Sequence, residues 1–358
     1  MKSERSLNRV LTFGDPFDPA LKIVDDSEAN RSLMWTMKRL WIVSPVYFDV
    51  ESYLLLRSHI LDVLQKAQIA SSVRVNFVAV DDSGGLDSEF SRLRALSDVR
   101  VIEPPFNLGH QRALVFALRT LRDEIDDDDY IVTLDADGED QPSDLPRLLK
   151  PLLEEPSALR RIALAMRTKR SESFSFKVLY LFFRILFRSL VGSVIRTGNF
   201  AAYRGWLARR ILFHPHFDLC YSSSFISLKL RVKWVPAERG RRLLGTSKMS
   251  YSRLLMHGVQ MLLPFTDRIA IRLLIGFSVL FGLSSLVLLS GSILPLVSAT
   301  VIPSWTMILA LMMSLLSFTA LGNLIILFAA FSYSRGTSLK NLEGEHCEQS
   351  GISSPPTD

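Results

Sequence analysis

With 358 residues, a formal net charge of +6 and only two cysteines, Cys220 and Cys347, the chain has room for one large domain or two small ones. The cysteine count excludes a disulfide framework and a cysteine-based zinc site. A pI of about 9.4 points to nucleic acid or an anionic membrane surface, and the mean hydropathy of +0.22 is high for a soluble protein, its apolar excess gathered at one end.

Residues 1–38 are polar and mixed, broken by Gly14, Pro16 and Pro19, and carry no apolar run of the kind a signal peptide needs. They read as an extension. Arg39 to Tyr47 predicts a first buried strand, stopped by Pro45. A helix follows over about Val50 to Ala67, striped by Leu54, Leu55, Ile60, Leu61 and Leu64. Val73 to Val80 predicts a second strand running into Asp81-Asp82-Ser83-Gly84-Gly85. Carboxylates followed by glycines at a strand end can hydrogen-bond a nucleotide base or ribose, or form a plain turn. Arg100 to Ile102 is a short third strand. Asn107 to Ala113 then opens a helix reaching about Arg122. Gly109 permits a tight turn there. His110 and Arg112 stand near a positive helix end, where phosphate is welcome, although a lone histidine serves structure as readily.

Tyr130 to Leu134 predicts a fourth strand that runs straight into carboxylates. Asp135 and Asp137 lie two apart, so in an extended strand end they point the same way, and Glu139 joins them if the chain stays extended. Three hard oxygen ligands at that spacing suit Mg²⁺ or Mn²⁺ together with a substrate phosphate. The plainer reading is an acidic loop before a helix starting near Pro142, with Asp140 near its N-cap. Strands alternating with helices predict an α/β fold with a mostly parallel sheet covered on both faces, and ligands in such sheets sit at the carboxyl ends of the strands.

Ile162 to Met166 is a further strand, followed by Arg167-Thr168-Lys169-Arg170. Phe174 to Val191 is aromatic and apolar with Lys177, Arg184 and Arg188 but no acid. It is too charged to span a bilayer, and fits either a helix lying in the membrane interface or a core helix. Thr197 to Arg204 reads as a loop into a strand, and Val232 to Val235 as another short strand. Arg239 to Lys248 is a basic, glycine-bearing loop able to clamp a diphosphate through Arg242, Lys248 and backbone N–H groups, or to form a solvated face.

From Leu273 to Ser334 there is no charged residue or histidine, a length that predicts two membrane spans near Leu273–Leu294 and Trp305–Phe331. Gly291, Pro295 and Pro303 mark the turn between them. Arg268 and Arg272 before the first span, and Arg335 and Lys340 after the second, place both ends in the cytoplasm. The tail from about Glu343 reads as disordered. The expected division is 1–38 extension, 39–265 catalytic domain, 270–334 hairpin and 335–358 cytoplasmic tail. Basic residues beside apolar, membrane-facing segments argue against nucleic acid.

Several pieces in this order, Ser44-Pro45-Val46-Tyr47, Val80-Asp81-Asp82-Ser83, Asn107-Leu108-Gly109 and Asp135-Ala136-Asp137-Gly138-Glu139-Asp140-Gln141-Pro142, resemble a family 2 glycosyltransferase of the GT-A fold. Over roughly residues 39 to 334 the chain is most similar to the polyprenyl-phosphate sugar transferases, such as dolichol-phosphate mannose synthase and bactoprenol glucosyltransferase. Glu139 stands where those relatives usually have Gln, Asn199 where a G-D-F segment would place Asp, and His110 where Lys is common. No Q-x-x-R-W of the processive polysaccharide synthases is present, and no glutamate–aspartate pair lies between Phe200 and Arg239.

The resemblance implies transfer of a sugar from a nucleotide-diphospho-sugar to polyprenyl phosphate by in-line displacement; the runner-up acceptor is a hydroxyl of a lipid or glycan. Asp135, Asp137 and Glu139 would hold Mg²⁺ or Mn²⁺, and Arg242 and Lys248 would stabilise the leaving diphosphate. Pro45, Tyr47, Asp81, Asp82, Gly109, His110, Asp135 and Ala136 would line the donor site. Arg167, Lys169, Arg170, Asn199 and Arg204 would meet the acceptor. It further implies membrane lipids as partners, a homo-oligomer as one arrangement, and a bacterial inner membrane as location.

Overall fold

The computed structural model describes residues 37–155, 161–167, 174–193, 198–245, 251–298 and 302–349. Expectations placed on residues 1–36, on Lys169, Arg170 and Lys248, and on residues 350–358 lie outside these.

The first half alternates strand and helix: β1 (Arg39–Val46), α1 (Val50–Lys66), β2 (Arg74–Asp81), α2 (Phe90–Arg94), β3 (Val99–Ile102), α3 (His110–Thr120), β4 (Tyr130–Thr133) and, after a 3₁₀ turn at Pro142–Asp144, α4 (Leu145–Leu153). Successive side chains of a strand point to opposite faces. Leu40, Ile42, Phe77, Ala79 and Val132 accordingly join one core with Leu56 and Ile60 of α1 and Leu148 of α4. Trp41, Val43, Val78, Val80 and Ile131 join the other, with Leu114 and Leu118 of α3. Burial on both faces explains why these strands read as continuous apolar runs.

Among the described residues the sheet has seven strands in the order β3-β2-β1-β4-β6-β5-β7, with β5 at Ile162–Arg167, β6 at Ala201–Arg204 and β7 at Val232–Ala237. β1 runs parallel to β2 and β4, whereas β6 is antiparallel to β4 and β5. The chain builds outward from β1 through β2 to β3 and then returns to the other side of β1 at β4. That reversal leaves a crevice beyond the carboxyl ends of β1 and β4. Pro45 does not stop β1, because it pairs in register with Val80. β4 pairs with β1 only as far as Val43, so near Pro45 the strand has one ladder to feed and a missing N–H is tolerated.

Short helices α6 (Gly205–Arg210), α7 (His216–Leu219) and α8 (Tyr221–Ser227) close the α3 face with Leu207, Phe217, Tyr221 and Phe225. The apolar segment forms α5 (Phe174–Val191). Phe187 and Val191 are buried against Phe265, with the two phenyl rings edge to face at 5.5 Å, while Leu181, Ile185 and Leu186 stay exposed.

Beyond the basic loop come α9 (Tyr251–Leu262), a 3₁₀ turn at Leu263–Phe265, α10 (Thr266–Val297) and α11 (Ser304–Gln349). α10 and α11 are long and apolar enough to cross a membrane and pack as a hairpin. They leave Ile275, Val279, Leu283, Ile308, Leu315 and Phe318 exposed, a surface that water does not suit and acyl chains do. The turn is shorter than expected. Gly291 and Pro295 lie inside α10, and a Cβ at Gly291 would come 2.1 Å from the Met307 sulfur, so the glycine lets α11 close in. α11 also continues helically to Gln349, past the point where the tail was expected to lose structure. Two arginines fasten the hairpin to the domain: Arg272 donates to the Ser189 carbonyl at 2.7 Å and Arg268 to the Ser227 carbonyl at 3.1 Å.

Candidate active site

Three loops meet at the crevice. Asp81 closes β2 with its side chain wholly buried; one oxygen accepts from the Ser83 N–H at 3.0 Å, and the other has no hydrogen-bond partner among the described residues. Asp82 accepts the N–H groups of Leu108 and Gly109, each at 3.0 Å. These come from the loop after β3, where Gly109 holds φ +79, so the glycine turn and the carboxylate fix each other. Burial, and secondarily the charge of Asp81, push the Asp82 carboxyl up to about 6 against those two hydrogen bonds.

At the end of β4 the chain turns instead of staying extended. Gly138 has φ +77, and a Cβ there would come 2.4 Å from Leu243. The turn lays the Glu139 side chain onto Arg239, whose Nε donates to it at 2.8 Å, while the Glu139 N–H bonds Asp137 at 3.0 Å. Among the described residues no three His, Cys, Asp or Glu side chains converge on a metal position. The expected trio is therefore a pair, Asp135 and Asp137. A second strip of chain is laid across it. The Gly240 N–H bonds the Glu139 carbonyl at 2.8 Å and the Leu243 N–H bonds the Asp137 carbonyl at 2.9 Å. A Cβ at Gly240 would collide with the Gln141 side chain at 1.6 Å. Arg242, carried on this strip, pairs with Asp49 and lies 3.4 Å from Asp137.

Burial pushes the Asp137 carboxyl up to about 7, with the charge of Asp135 next in size and Arg242 opposing. The charge of Asp135 thus outweighs that of Arg242 at Asp137, and the hard oxygens of the two acids fit a divalent cation that a diphosphate would also ligate. Asp135 is held from below: the Asn199 amide donates to its Oδ1 at 2.8 Å.

Other sequence-picked residues fall elsewhere. Pro45 and Tyr47 stand at and just past the end of β1, and Ala136 is buried between the two acids. His110 heads α3, its ring 5.3 Å from that of His257 on α9. Arg167 ends β5. Arg204 is not an acceptor contact. β6 runs antiparallel to β4, so Arg204 pairs with Tyr130 at the far end of the strand, fully buried, 2.8 Å from Asp128. Asp218, a carboxylate between Phe200 and Arg239, pairs with Arg119 at 2.5 Å. Asp49, Gln111, Arg239 and His257 escaped the sequence reading; only Arg239 carried a signal, as the first cation of the basic loop.

Residues 42–211 match the model described as Glycosyl transferase family 2. They form a family 2 glycosyltransferase domain, and that family supports a transferase that takes its sugar from a nucleotide-sugar donor. Solved structures share a loose likeness. One is a 4-diphosphocytidyl-2C-methyl-D-erythritol synthase, 14% identical over 63% of this chain and 99% of that one, with a TM-score of 0.35. A Mycobacterium tuberculosis protein crystallised in complex with manganese is 14% identical over 62% and 100%, with a TM-score of 0.32. A mannose-1-phosphate geranyltransferase from Thermus thermophilus is 12% identical over 57% and 75%, with a TM-score of 0.34. No curated protein matches the chain.

Proposed function

We propose that this transferase is held in a membrane and moves its sugar onto polyprenyl phosphate. One observation supports this most: His110, in the crevice, lies against His257 of α9, the helix that leads into the hairpin. The donor end of the sheet thus stands beside a helix that exposes Met256 and Val259 and continues into α10. An acceptor whose phosphate sits at a bilayer surface need not leave it.

The acceptor oxygen attacks the anomeric carbon as the bond to the donor diphosphate breaks, with inversion. Asp81 and Asp82 hold base or ribose donors. A divalent cation, Mg²⁺ or Mn²⁺, on Asp135 and Asp137 supplies Lewis-acid charge for the departing diphosphate when bound. Arg242 and, from the following residues, Lys248 add positive charge to the same group. A phosphate monoester is ionised at neutral pH and needs no general base. That suits a chain whose Asp218 is tied up by Arg119. Arg167, Lys169 and Arg170 grip the acceptor phosphate. α5 lies in the interface, with Arg184 and Arg188 exposed toward anionic headgroups at about 1 kcal/mol each. Both ends of the hairpin face the cytoplasm, so externally added thiol reagents should reach cysteines introduced at its turn and not one introduced near Glu343.

The test is mass spectrometry of purified full-chain protein incubated with a panel of nucleotide sugars, Mn²⁺ and polyprenyl phosphate. A sugar-phospholipid is the expected product. Efficient transfer to a water-soluble sugar with no lipid phosphate present would favour the hydroxyl acceptor instead.

A further inference from the structure

A buried chain of amides lies beneath Asp135. The Ser222 backbone N–H, which can only donate, bonds Gln111 Oε1 at 2.9 Å. That fixes which end of the Gln111 amide is oxygen, so Nε2 faces Asn199 and donates to its Oδ1 at 2.7 Å. The Asn199 amide is oriented in turn, and its Nδ2 is the group that meets Asp135 Oδ1 at 2.8 Å. Gln111 and Asn199 are both buried, so no water competes for these positions. The Asn199 backbone is pinned separately: its carbonyl accepts from Thr133 Oγ1 at 2.6 Å, and Thr133 Oγ1 lies 2.9 Å from the Tyr221 hydroxyl.

We infer that Gln111 is a positioning residue for the cation and donor site: through Asn199 it commits one oxygen of Asp135 to the protein and leaves the other for the cation. This rests on the reading of Asp135 and Asp137 as the cation pair. Orientation is the point. Without the Gln111 donor, the Asp135 carboxylate alone would hold the Asn199 amide this way round, and the grip on its Oδ1 would loosen. Helix α3, the segment leading into β6, and α8 are thereby locked to the end of β4, although no two of them are neighbours in sequence.

The experiment is a Mn²⁺ titration of the full-chain protein in detergent, without nucleotide, read by the electron spin resonance of free Mn²⁺. It compares wild type with Gln111→Met, Gln111→Glu and Ser222→Ala, at a temperature where each is folded by circular dichroism. Gln111→Met keeps the volume and removes the orienting group; it should weaken Mn²⁺ binding about tenfold. Gln111→Glu, titrated at a pH high enough to ionise it, offers only acceptors to Asn199, should turn its amide over, and should weaken binding more. Ser222→Ala keeps the backbone N–H that sets the direction, loses only the longer 3.3 Å contact from Gln111 Nε2 to the hydroxyl, and should stay within twofold of wild type. A merely structural role for Gln111 would lower the melting temperature and leave the Mn²⁺ affinity of the folded protein unchanged. That result, or equal weakening by Ser222→Ala, would overturn the inference while the cation pair stood. A wild type that binds no Mn²⁺ would overturn both.

Discussion

The two ends of the central strands carry similar numbers of acids and use them in opposite ways. At the amino ends, the acids of the Asp126–Asp129 run meet cations. Asp127 pairs with Arg209 and Arg210, Asp128 with Arg204, and Asp129 with Arg39. Asp129 also accepts the Trp41 indole N–H at 2.9 Å. At the carboxyl ends Arg239 and Arg242 meet Glu139, Asp49 and Asp137, yet acids also stand against acids, Asp81 beside Asp82 and Asp135 beside Asp137, with carboxyls raised to about 6 at Asp82 and about 7 at Asp137. Paired acids tie strands and loops together. Acids left facing each other are an expense the fold carries for a ligand. The contrast separates scaffold from site without reference to any relative.

It is broken most severely at Asp137. Asp137→Asn should lower turnover about 10³-fold, the scale for losing one charged group at a developing anion. The folded protein without ligands should melt no lower than wild type, because the substitution relieves repulsion. Transfer assays beside thermal melts check both halves. At the other end, Asp129→Ala orphans the N–H groups of Arg39, Trp41 and Asp126, and should cost about 3 kcal/mol in denaturant melts at about 1 kcal/mol per lost bond, with Mn²⁺ affinity unchanged.

A smaller effect is expected where the second strip crosses the site. Gly240→Ala must push Gln141 aside and should raise the donor KM about tenfold, leaving the acceptor KM alone; steady-state kinetics in both substrates read it. A further effect is on pH dependence. Because the Asp82 carboxyl is raised from 3.8 to about 6 on folding, its contribution to stability is complete below pH 3.8 and lost as pH rises to about 6. Asp82→Asn, whose amide oxygen still accepts from Leu108 and Gly109, should flatten that part of the stability curve, measured without metal or nucleotide.

What could be read from the sequence was local. The strands followed from runs of apolar residues, α1 from a stripe that placed its ends within a residue of Val50 and Lys66, and the acid pair from spacing at a strand end. What could not be read depended on register and distant partners. Glu139 was assigned to the metal because an extended chain was assumed; Gly138 bends it, and the arginine that receives it lies 100 residues away. Arg204 follows a loop that ends at the site, but an antiparallel strand carries it to the opposite edge. Gln111 reads as one polar residue in an amphipathic helix, and its meaning lies in contacts 88 and 111 residues off.

The difference between the two ends is tested most directly by the shift in melting temperature that Mn²⁺ produces. Wild type and Asp129→Asn should both be stabilised, by about 2.7 kcal/mol once Mn²⁺ reaches a hundred times its Kd. Asp137→Asn should show no shift at the same concentration. A shift of equal size in Asp137→Asn, or its loss in Asp129→Asn, would contradict the assignment of the cation to the carboxyl end.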